Sequence, residues 1–174
     1  MFLSPEKIVE YCDVHHGMKV ADFGSNIGTF SLLLAKRVGV HGVVYAIDVQ
    51  KDLLTKLHNE AKFHKLENIE VIFGNLEKEK GTTLKDESVD RVFLVNTFFQ
   101  IEDKNACIQE IRRVLKKGGK VIFIDWSDSF ENLGPHKDSV IYAKQAEDIF
   151  ERNYFKKEAG FPAGDHHYGI LFIK

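Results

Sequence analysis

An acidic residue and two glycines stand close together near the start of the chain, at Asp22, Gly24 and Gly28. They close a short apolar segment and precede residues with helical apolar spacing, which predicts a strand, a tight turn and a helix. Such a turn brings backbone N–H groups close to a ligand, at the positive end of the helix. Because glycine has no Cβ atom, a ligand can lie against the main chain at Gly24 and Gly28. A plain tight turn within an α/β sheet is the alternative.

The spacing of this turn bears on the kind of ligand. Dinucleotide-binding turns carry the pattern G-x-G-x-x-G, which would place glycines at positions 26 and 29. Those positions hold Asn26 and Thr29. Asparagine adopts left-handed backbone more readily than most residues, so the turn can persist with Asn26 in place of a glycine. The sequence therefore disfavours a pyrophosphate-binding turn.

A second acidic residue, Asp48, ends the apolar and β-branched run 43–48. Such a run predicts a buried parallel strand. Nucleotide-binding folds place an acid about 20 residues beyond the glycine turn, where its carboxylate accepts hydrogen bonds from ribose hydroxyls. We therefore predict that Asp48 binds a ribose. Capping of the next helix is the alternative role.

Three segments resemble motifs of the class I S-adenosylmethionine (SAM) dependent methyltransferases. Residues 20–28 resemble the first motif, a hydrophobic pair followed by Asp, any residue and G-x-G-x-G. Residues 88–96 resemble the fourth-strand motif, and residues 114–126 resemble the Leu-Lys-x-Gly-Gly turn into the fifth strand. The resemblance covers residues 18–174 and is greatest to the small enzymes related to the ubiquinone and menaquinone biosynthesis methyltransferases.

The resemblance implies SAM as the cofactor and in-line displacement of its methyl group onto a small-molecule acceptor. Asp48 would hold the ribose, and Asn75, where the family usually has Asp, would contact adenine; a plain turn role for Asn75 is equally open. Asn96 would contact the methionine amino group through its backbone carbonyl. The implied cofactor-binding set is Asp22, Gly24, Ser25, Asn26, Gly28, Asp48, Val49, Asn75, Leu76, Asn96 and Thr97.

Candidate residues for the acceptor follow predicted strands four, five and six. An unperturbed histidine titrates near neutral pH, so we predict that His167 deprotonates or orients the acceptor, with a solvated turn as the alternative. Asp125, at the end of strand five, is the second candidate catalytic residue. No third ligand lies near His166 and His167 in sequence, so no metal site is expected. The predicted acceptor contacts are Phe98, Trp126, His136 and His166.

The same resemblance implies an α/β fold with a Rossmann-like, mostly parallel sheet of seven strands. The implied strand order is 3-2-1-4-5-7-6, with strand seven antiparallel and helices on both faces. Residues 1–174 are expected to form a single domain with an N-terminal helix in 1–17 and a terminal β-hairpin in 153–174. We predict Asn153 as the left-handed cap before that hairpin. By the period of two, Phe155, Ala159 and Phe161 are expected to share one face of strand six.

Composition limits the remaining functions. The 174 residues carry a formal net charge of −2, which disfavours an extended nucleic-acid groove. Two cysteines without a C-x-x-C pattern fit a reducing compartment, and the charged N-terminus does not resemble a signal peptide, so we expect a cytoplasmic protein without a membrane span. A noncatalytic SAM-binding protein and an NAD-dependent oxidoreductase remain alternatives. The oligomeric state has no signature in the sequence.

Overall fold

The computed structural model describes residues 4–130 and 133–174. The first three residues of the predicted N-terminal segment 1–17 therefore lie outside the described residues, as do two residues of the loop after the fifth strand. None of the helices in the described ranges combines the length and the apolarity needed to cross a membrane.

One sheet contains all seven strands of the described residues, in the order β3-β2-β1-β4-β5-β7-β6. Strand β7 pairs antiparallel with both β5 and β6, and the remaining pairs are parallel. The predicted fold is confirmed. The strands are β1 (Lys19–Phe23), β2 (Val43–Asp48), β3 (Ile69–Phe73), β4 (Val89–Val95), β5 (Leu115–Trp126), β6 (Lys156–Pro162) and β7 (His167–Ile173).

Helices cover both faces of this sheet. The helices are α1 (Pro5–Tyr11), α2 (Thr29–Val38), α3 (Lys51–Phe63), α4 (Lys104–Val114) and α5 (Ala143–Arg152), with short 3-10 turns at Phe98–Gln100 and Lys137–Ser139. One core cluster joins the sheet to α4 and α5, and a second joins it to α1 and α2. Central strands such as β4 are buried on both faces, which explains their nearly continuous apolar runs.

The connection from α5 into β6 differs from our prediction in two details. Asn153 has φ of −98°, and the left-handed residue is Tyr154, with φ of +64°. Phe155 packs into the core beside α5, whereas Ala159 and Phe161 pack on the opposite face. A register shift between Lys157 and Ala159 inserts one residue into the strand. Because a bulge reverses the alternation of side chains beyond it, the three residues do not share a face.

Candidate active site

The turn between β1 and α2 is held in left-handed conformations at three positions. Gly24 has φ of +78°, Asn26 of +51° and Gly28 of +88°. Asn26 thus occupies the left-handed position that the family pattern gives to a glycine. A Cβ atom on Gly24 would lie 2.3 Å from Oγ1 of Thr97, at the end of the neighbouring strand β4. Gly24 is therefore required by contact with the protein itself.

Gly28 has a packing role in the structure. It is the N-cap residue of α2, and a Cβ atom there would lie 2.1 Å from Cδ1 of Leu57 on α3. Gly28 lines neither of the cavities described below. The structure thus gives packing of α3 against the turn as the reason for this glycine.

Asp48 ties the turn to the end of β2. Its side chain is only 7% exposed, and it accepts hydrogen bonds from the backbone N–H groups of Asn26 and Gln50, both at 2.9 Å. Gln50, not Asp48, is the N-cap residue of α3. Each carboxylate oxygen has two lone pairs, so Asp48 retains acceptor capacity for ligand hydroxyls.

Two adjoining cavities open at the carboxyl ends of the parallel strands, where ligands bind in open α/β sheets. The larger, of about 280 Å³, is lined by Gly24, Asn26, Asp48, Val49, Gln50, Asn75, Leu76, Glu77, Val95, Asn96, Thr97, Gln100 and Ile101. The second, of about 270 Å³, is lined by Pro5, Asp22, Gly24, Ser25, Asn26, Ile27, Thr29, Phe30, Val95 and Asn96. Every residue of the predicted cofactor set except Gly28 lines one of the two.

The polar groups of these cavities fit an elongated polar ligand. Ser25 Oγ and Asn96 Oδ1 are buried without a hydrogen-bond partner among the described residues, and both residues line the second cavity. Buried polar atoms are rarely left unpaired, so a ligand with donors and acceptors is expected beside them. A carboxylate for a diol, an amide for a purine edge and an apolar side chain such as Leu76 for the purine face match the ribose and adenine parts of SAM, and the buried Ser25 hydroxyl of the second cavity matches its polar amino-acid end.

Asp22 is a buried acid beside the second cavity. It is 3% exposed and accepts a hydrogen bond of 2.6 Å from the Ser31 hydroxyl. Burial raises the pKa of Asp22 to about 6, and the nearby Asp48 carboxylate adds to the rise. Asp22 therefore acquires its charge only close to neutral pH, which makes a cationic ligand group a favourable neighbour.

The structure is compatible with both roles that we left open for Asn75. Its Oδ1 accepts a hydrogen bond of 2.8 Å from the Glu77 N–H, which is the turn role. Asn75 also lines the larger cavity. Because an amide oxygen has two lone pairs and its NH₂ group has two donors, the turn leaves polar capacity for a ligand.

Several lining residues were missed by sequence reasoning. Gln100 and Ile101 reach the larger cavity because the 3-10 turn Phe98–Gln100 leads the chain back toward it, and Gln100 Nε2 donates to the Asn96 carbonyl at 3.4 Å. Phe98 lies at the start of that turn, fully buried and edge-on to Phe123 with ring centroids 5.3 Å apart. Phe98 is thus a core residue, and the structure does not bring it to the cavities as an acceptor contact.

The two candidate catalytic residues point to opposite faces of the sheet. In the register of β5 and β7, Asp125 lies opposite Tyr168, and His167 lies opposite the next residue, Trp126. Successive side chains of a strand alternate between faces, so Asp125 and His167 do not meet. Asp125 is fully buried, lines neither cavity and accepts hydrogen bonds from the N–H groups of Phe99 (3.1 Å) and Trp126 (2.9 Å). This position favours a structural role over contact with the acceptor.

Asp125→Asn is expected to reduce the pH dependence of stability. Burial raises the pKa of Asp125 to about 7, well above the 3.8 of an exposed Asp. Between these values the folded protein keeps a proton that the unfolded chain has lost, so stability falls as pH rises from about 4 to 7. The shift corresponds to at most about 4 kcal/mol. The melting temperature of Asp125→Asn relative to wild type should therefore increase between pH 5 and pH 8.

Thermal unfolding at both pH values measures this difference. Asp138→Asn is the control, because the Asp138 side chain is 90% exposed. If the melting-temperature difference between Asp125→Asn and wild type stays constant from pH 5 to pH 8, Asp125 does not have a raised pKa in the folded protein.

Three of the four remaining candidates, Trp126, His166 and His167, lie around the turn between β6 and β7. The rings of Trp126 and His167 lie 4.2 Å apart, and both ring nitrogens of His167 are buried without a hydrogen-bond partner among the described residues. Burial lowers the pKa of His167. His166 Nδ1 lies 3.0 Å from the Asp128 carboxylate, and its ring stacks on Phe130. His136 is exposed and lines neither cavity.

Known proteins resemble this chain in both sequence and fold. Residues 14–160 match the family model named Methyltransferase domain. The demethylmenaquinone methyltransferase of Geobacillus sp. (strain WCH70) is 28% identical over 122 residues, which cover 70% of this chain and 51% of the relative. That of Bacillus mycoides (strain KBAB4) is 27% identical over 144 residues, covering 83% and 59%. The chain thus spans about half the length of these curated relatives.

A solved structure has the same fold over nearly the whole of this chain. The SAM-dependent methyltransferase of Aquifex aeolicus superposes with a TM-score of 0.90 at 27% identity, covering 99% of this chain and 90% of that one. The family match includes Gly24, Asp48, Asn75 and Asn96, all of which line the larger cavity. The chain therefore belongs to the class I SAM-dependent methyltransferases, within the methyltransferase domain family.

Proposed function

We propose that this protein transfers a methyl group from SAM to a small-molecule acceptor, and that residues 1–174 act as a single methyltransferase domain. The observation that carries the proposal is the pair of adjoining cavities, which together present a buried carboxylate at Asp48 and unpartnered polar atoms on Ser25 and Asn96. The ribose and adenine belong in the larger cavity, between Asp48 and Asn75. The amino-acid end belongs in the second, beside Ser25.

The chain's own residues bind and orient, and the donor supplies the reactivity. SAM, when bound, supplies a methyl group already activated by the positive charge on sulfur. Positioning of two reactants can supply several kcal/mol of rate enhancement, up to about 7–11. Gly24 and Asn26 line both cavities and so define the line along which the ligand lies. The buried Asp22 carboxylate is the acid nearest to the place proposed for the cationic end.

Demethylmenaquinone is the first acceptor to assay, because the relatives named above carry that substrate in their names. A cytoplasmic location is part of this proposal.

Calorimetric titration tests the cofactor directly. S-adenosylhomocysteine and SAM are expected to bind at micromolar strength, about −8 kcal/mol, and NAD is not. Binding of NAD alone would select an oxidoreductase. Tight SAM binding with no transfer to demethylmenaquinone, thiols or amines would select a noncatalytic SAM-binding protein. If the folded protein binds neither SAM nor S-adenosylhomocysteine, the proposal is overturned.

His167→Gln tests the proposed role of His167 in deprotonating or orienting the acceptor. The lowered pKa keeps the imidazole neutral near pH 7, as a base requires. We expect kcat to fall about 100-fold or more while S-adenosylhomocysteine affinity is unchanged, because His167 lines neither cavity. The exposed His41, which lies just before β2 and outside every predicted site, provides the control variant His41→Gln. If turnover by His167→Gln equals that of wild type, His167 has no such role.

A further inference from the structure

The segment between β3 and β4 contributes three residues to the larger cavity and then folds back behind them. Asn75, Leu76 and Glu77 line the cavity. Gly81 packs directly against this part of the main chain, since a Cβ atom on Gly81 would lie 2.0 Å from the Asn75 carbonyl oxygen. The backbone of residues 80–82 is therefore the support on which the lining residues rest.

A buried carboxylate on α4 holds that support. Glu110 is 2% exposed. Its Oε2 accepts from the Lys80 N–H at 3.0 Å, and its Oε1 accepts from the Thr82 N–H at 3.2 Å and from the Thr82 hydroxyl at 2.6 Å. Charged acceptors make stronger hydrogen bonds than neutral ones, so three bonds to one carboxylate fix residues 80–82 firmly.

Arg113 completes the arrangement from the next turn of α4. Its guanidinium donates to both oxygens of Glu110, at 2.8 and 2.7 Å, and thus pairs the buried charge. It also donates to the Leu84 carbonyl at 2.7 Å and to Asp86 at 2.6 Å. Every oxygen of Glu110 is satisfied, and the segment from 80 to 86 is attached to α4 along its length.

A second link joins α4 to the cavity wall itself. Glu77 Oε2 accepts a hydrogen bond of 2.8 Å from the N–H of Asp103, the N-cap residue of α4. The N-terminal end of α4 thus holds a lining residue directly, and Glu110 holds the layer behind the lining residues.

We propose that Glu110 is a positioning residue for the cofactor, setting the place of Asn75 and Leu76 through the backbone of residues 80–82. The inference rests on the proposed function, since SAM is the ligand whose adenine these residues would contact. The competing explanation is that Glu110 contributes only to the stability of the fold.

The test compares Glu110→Gln and Glu110→Ala with Ile111→Val, a change in the same helix at a fully buried core residue whose side chain makes no hydrogen bond to residues 80–82. Dissociation constants for S-adenosylhomocysteine and for 5′-methylthioadenosine, which lacks the amino-acid end, are measured at a temperature where all variants are folded. Hydrogen exchange of the amides of residues 75–82 is followed in parallel.

We expect affinity to decline in the order wild type, Glu110→Gln, Glu110→Ala, by about 10-fold for the alanine variant. The loss should be the same factor for both ligands, because both carry adenine, and amides 75–82 should exchange faster. Ile111→Val should lose stability without losing affinity. At saturating SAM, kcat should be unchanged, so the effect appears in KM alone.

Two outcomes separate the possible failures. If wild type binds S-adenosylhomocysteine and both Glu110 variants bind it within twofold, Glu110 has only a stabilising role and this inference is overturned. If folded wild type does not bind S-adenosylhomocysteine, the proposed function fails and the inference fails with it.

Discussion

Asp48→Asn is expected to weaken S-adenosylhomocysteine binding about 100-fold. A hydrogen bond to a charged acceptor contributes about 1.5–3 kcal/mol. Loss of one such bond from the ribose to Asp48, with an NH₂ group in place of the acceptor, is expected to cost about 3 kcal/mol of binding free energy, which corresponds to about 100-fold in affinity. Both Asp48 oxygens accept backbone N–H groups, so the NH₂ group of an asparagine must face one of those donors. The variant would therefore lose both the charge and part of the order of the turn. Calorimetry at a fixed pH and salt concentration measures the change.

Asp52→Asn is the matched control for this prediction. Asp52 lies four residues further along, in the first turn of α3, exposed to solvent and outside both cavities. Its variant should bind S-adenosylhomocysteine as wild type does. A threefold or smaller loss of affinity in Asp48→Asn, with a melting temperature near that of wild type, would show that Asp48 does not bind the ribose.

Gly28→Ala is expected to lower the free energy of unfolding by about 2–5 kcal/mol. An alanine must adopt φ of +88° at this position, which costs about 1–2 kcal/mol. Its Cβ would also lie 2.1 Å from Cδ1 of the fully buried Leu57, and overpacking of a core adds about 1–3 kcal/mol. In a chain of this size the melting temperature should fall by roughly 5–15 °C.

Gly118→Ala separates the two contributions. Gly118 has φ of +71°, but nothing lies within 4 Å of the Cβ position. Its variant should lose only the backbone contribution, about 1–2 kcal/mol. If Gly28→Ala and Gly118→Ala have equal melting temperatures, the contact with Leu57 contributes nothing to the loss of stability.

The positions of the strands and most of the residues that line the cavities could be predicted because they depend on local signals, whereas the strand order was implied by the family resemblance. A buried β-branched run such as 43–48 identifies a strand, and the residue that ends it lies at the carboxyl edge of the sheet. Asp48, Asn75 and Asn96 all follow this rule. Their convergence requires only that the strands be parallel and adjacent.

Structure and prediction differ where a local change in the backbone redirects the side chains that follow it. The bulge between Lys157 and Ala159 leaves no mark in the periodicity, yet it moves Phe155 and Phe161 to opposite faces. The 3-10 turn after β4 likewise sends Phe98 into the core and Gln100 to the cavity. Side-chain direction in such short elements depends on tertiary packing, which no local pattern reports.

The reason for Gly28 could not be obtained from the sequence either. Spacing identified the residue, but its closest neighbour would be Leu57, 29 positions along the chain. A contact across that separation depends on the crossing of α3 over the turn, and glycine's freedom at positive φ is compatible with either explanation.

The double attachment of Asp48 has a kinetic consequence. A carboxylate anchored by two N–H groups of its own protein has its lone pairs directed before any ligand arrives. The ligand then loses its own freedom on association, while the receptor loses little of its own. Because Asp48 does not have to rearrange when the ligand arrives, the association rate constant should approach that of a rigid diffusional encounter, about 10⁵–10⁷ M⁻¹s⁻¹ or faster. Differences in affinity among nucleoside analogues should accordingly appear in their residence times.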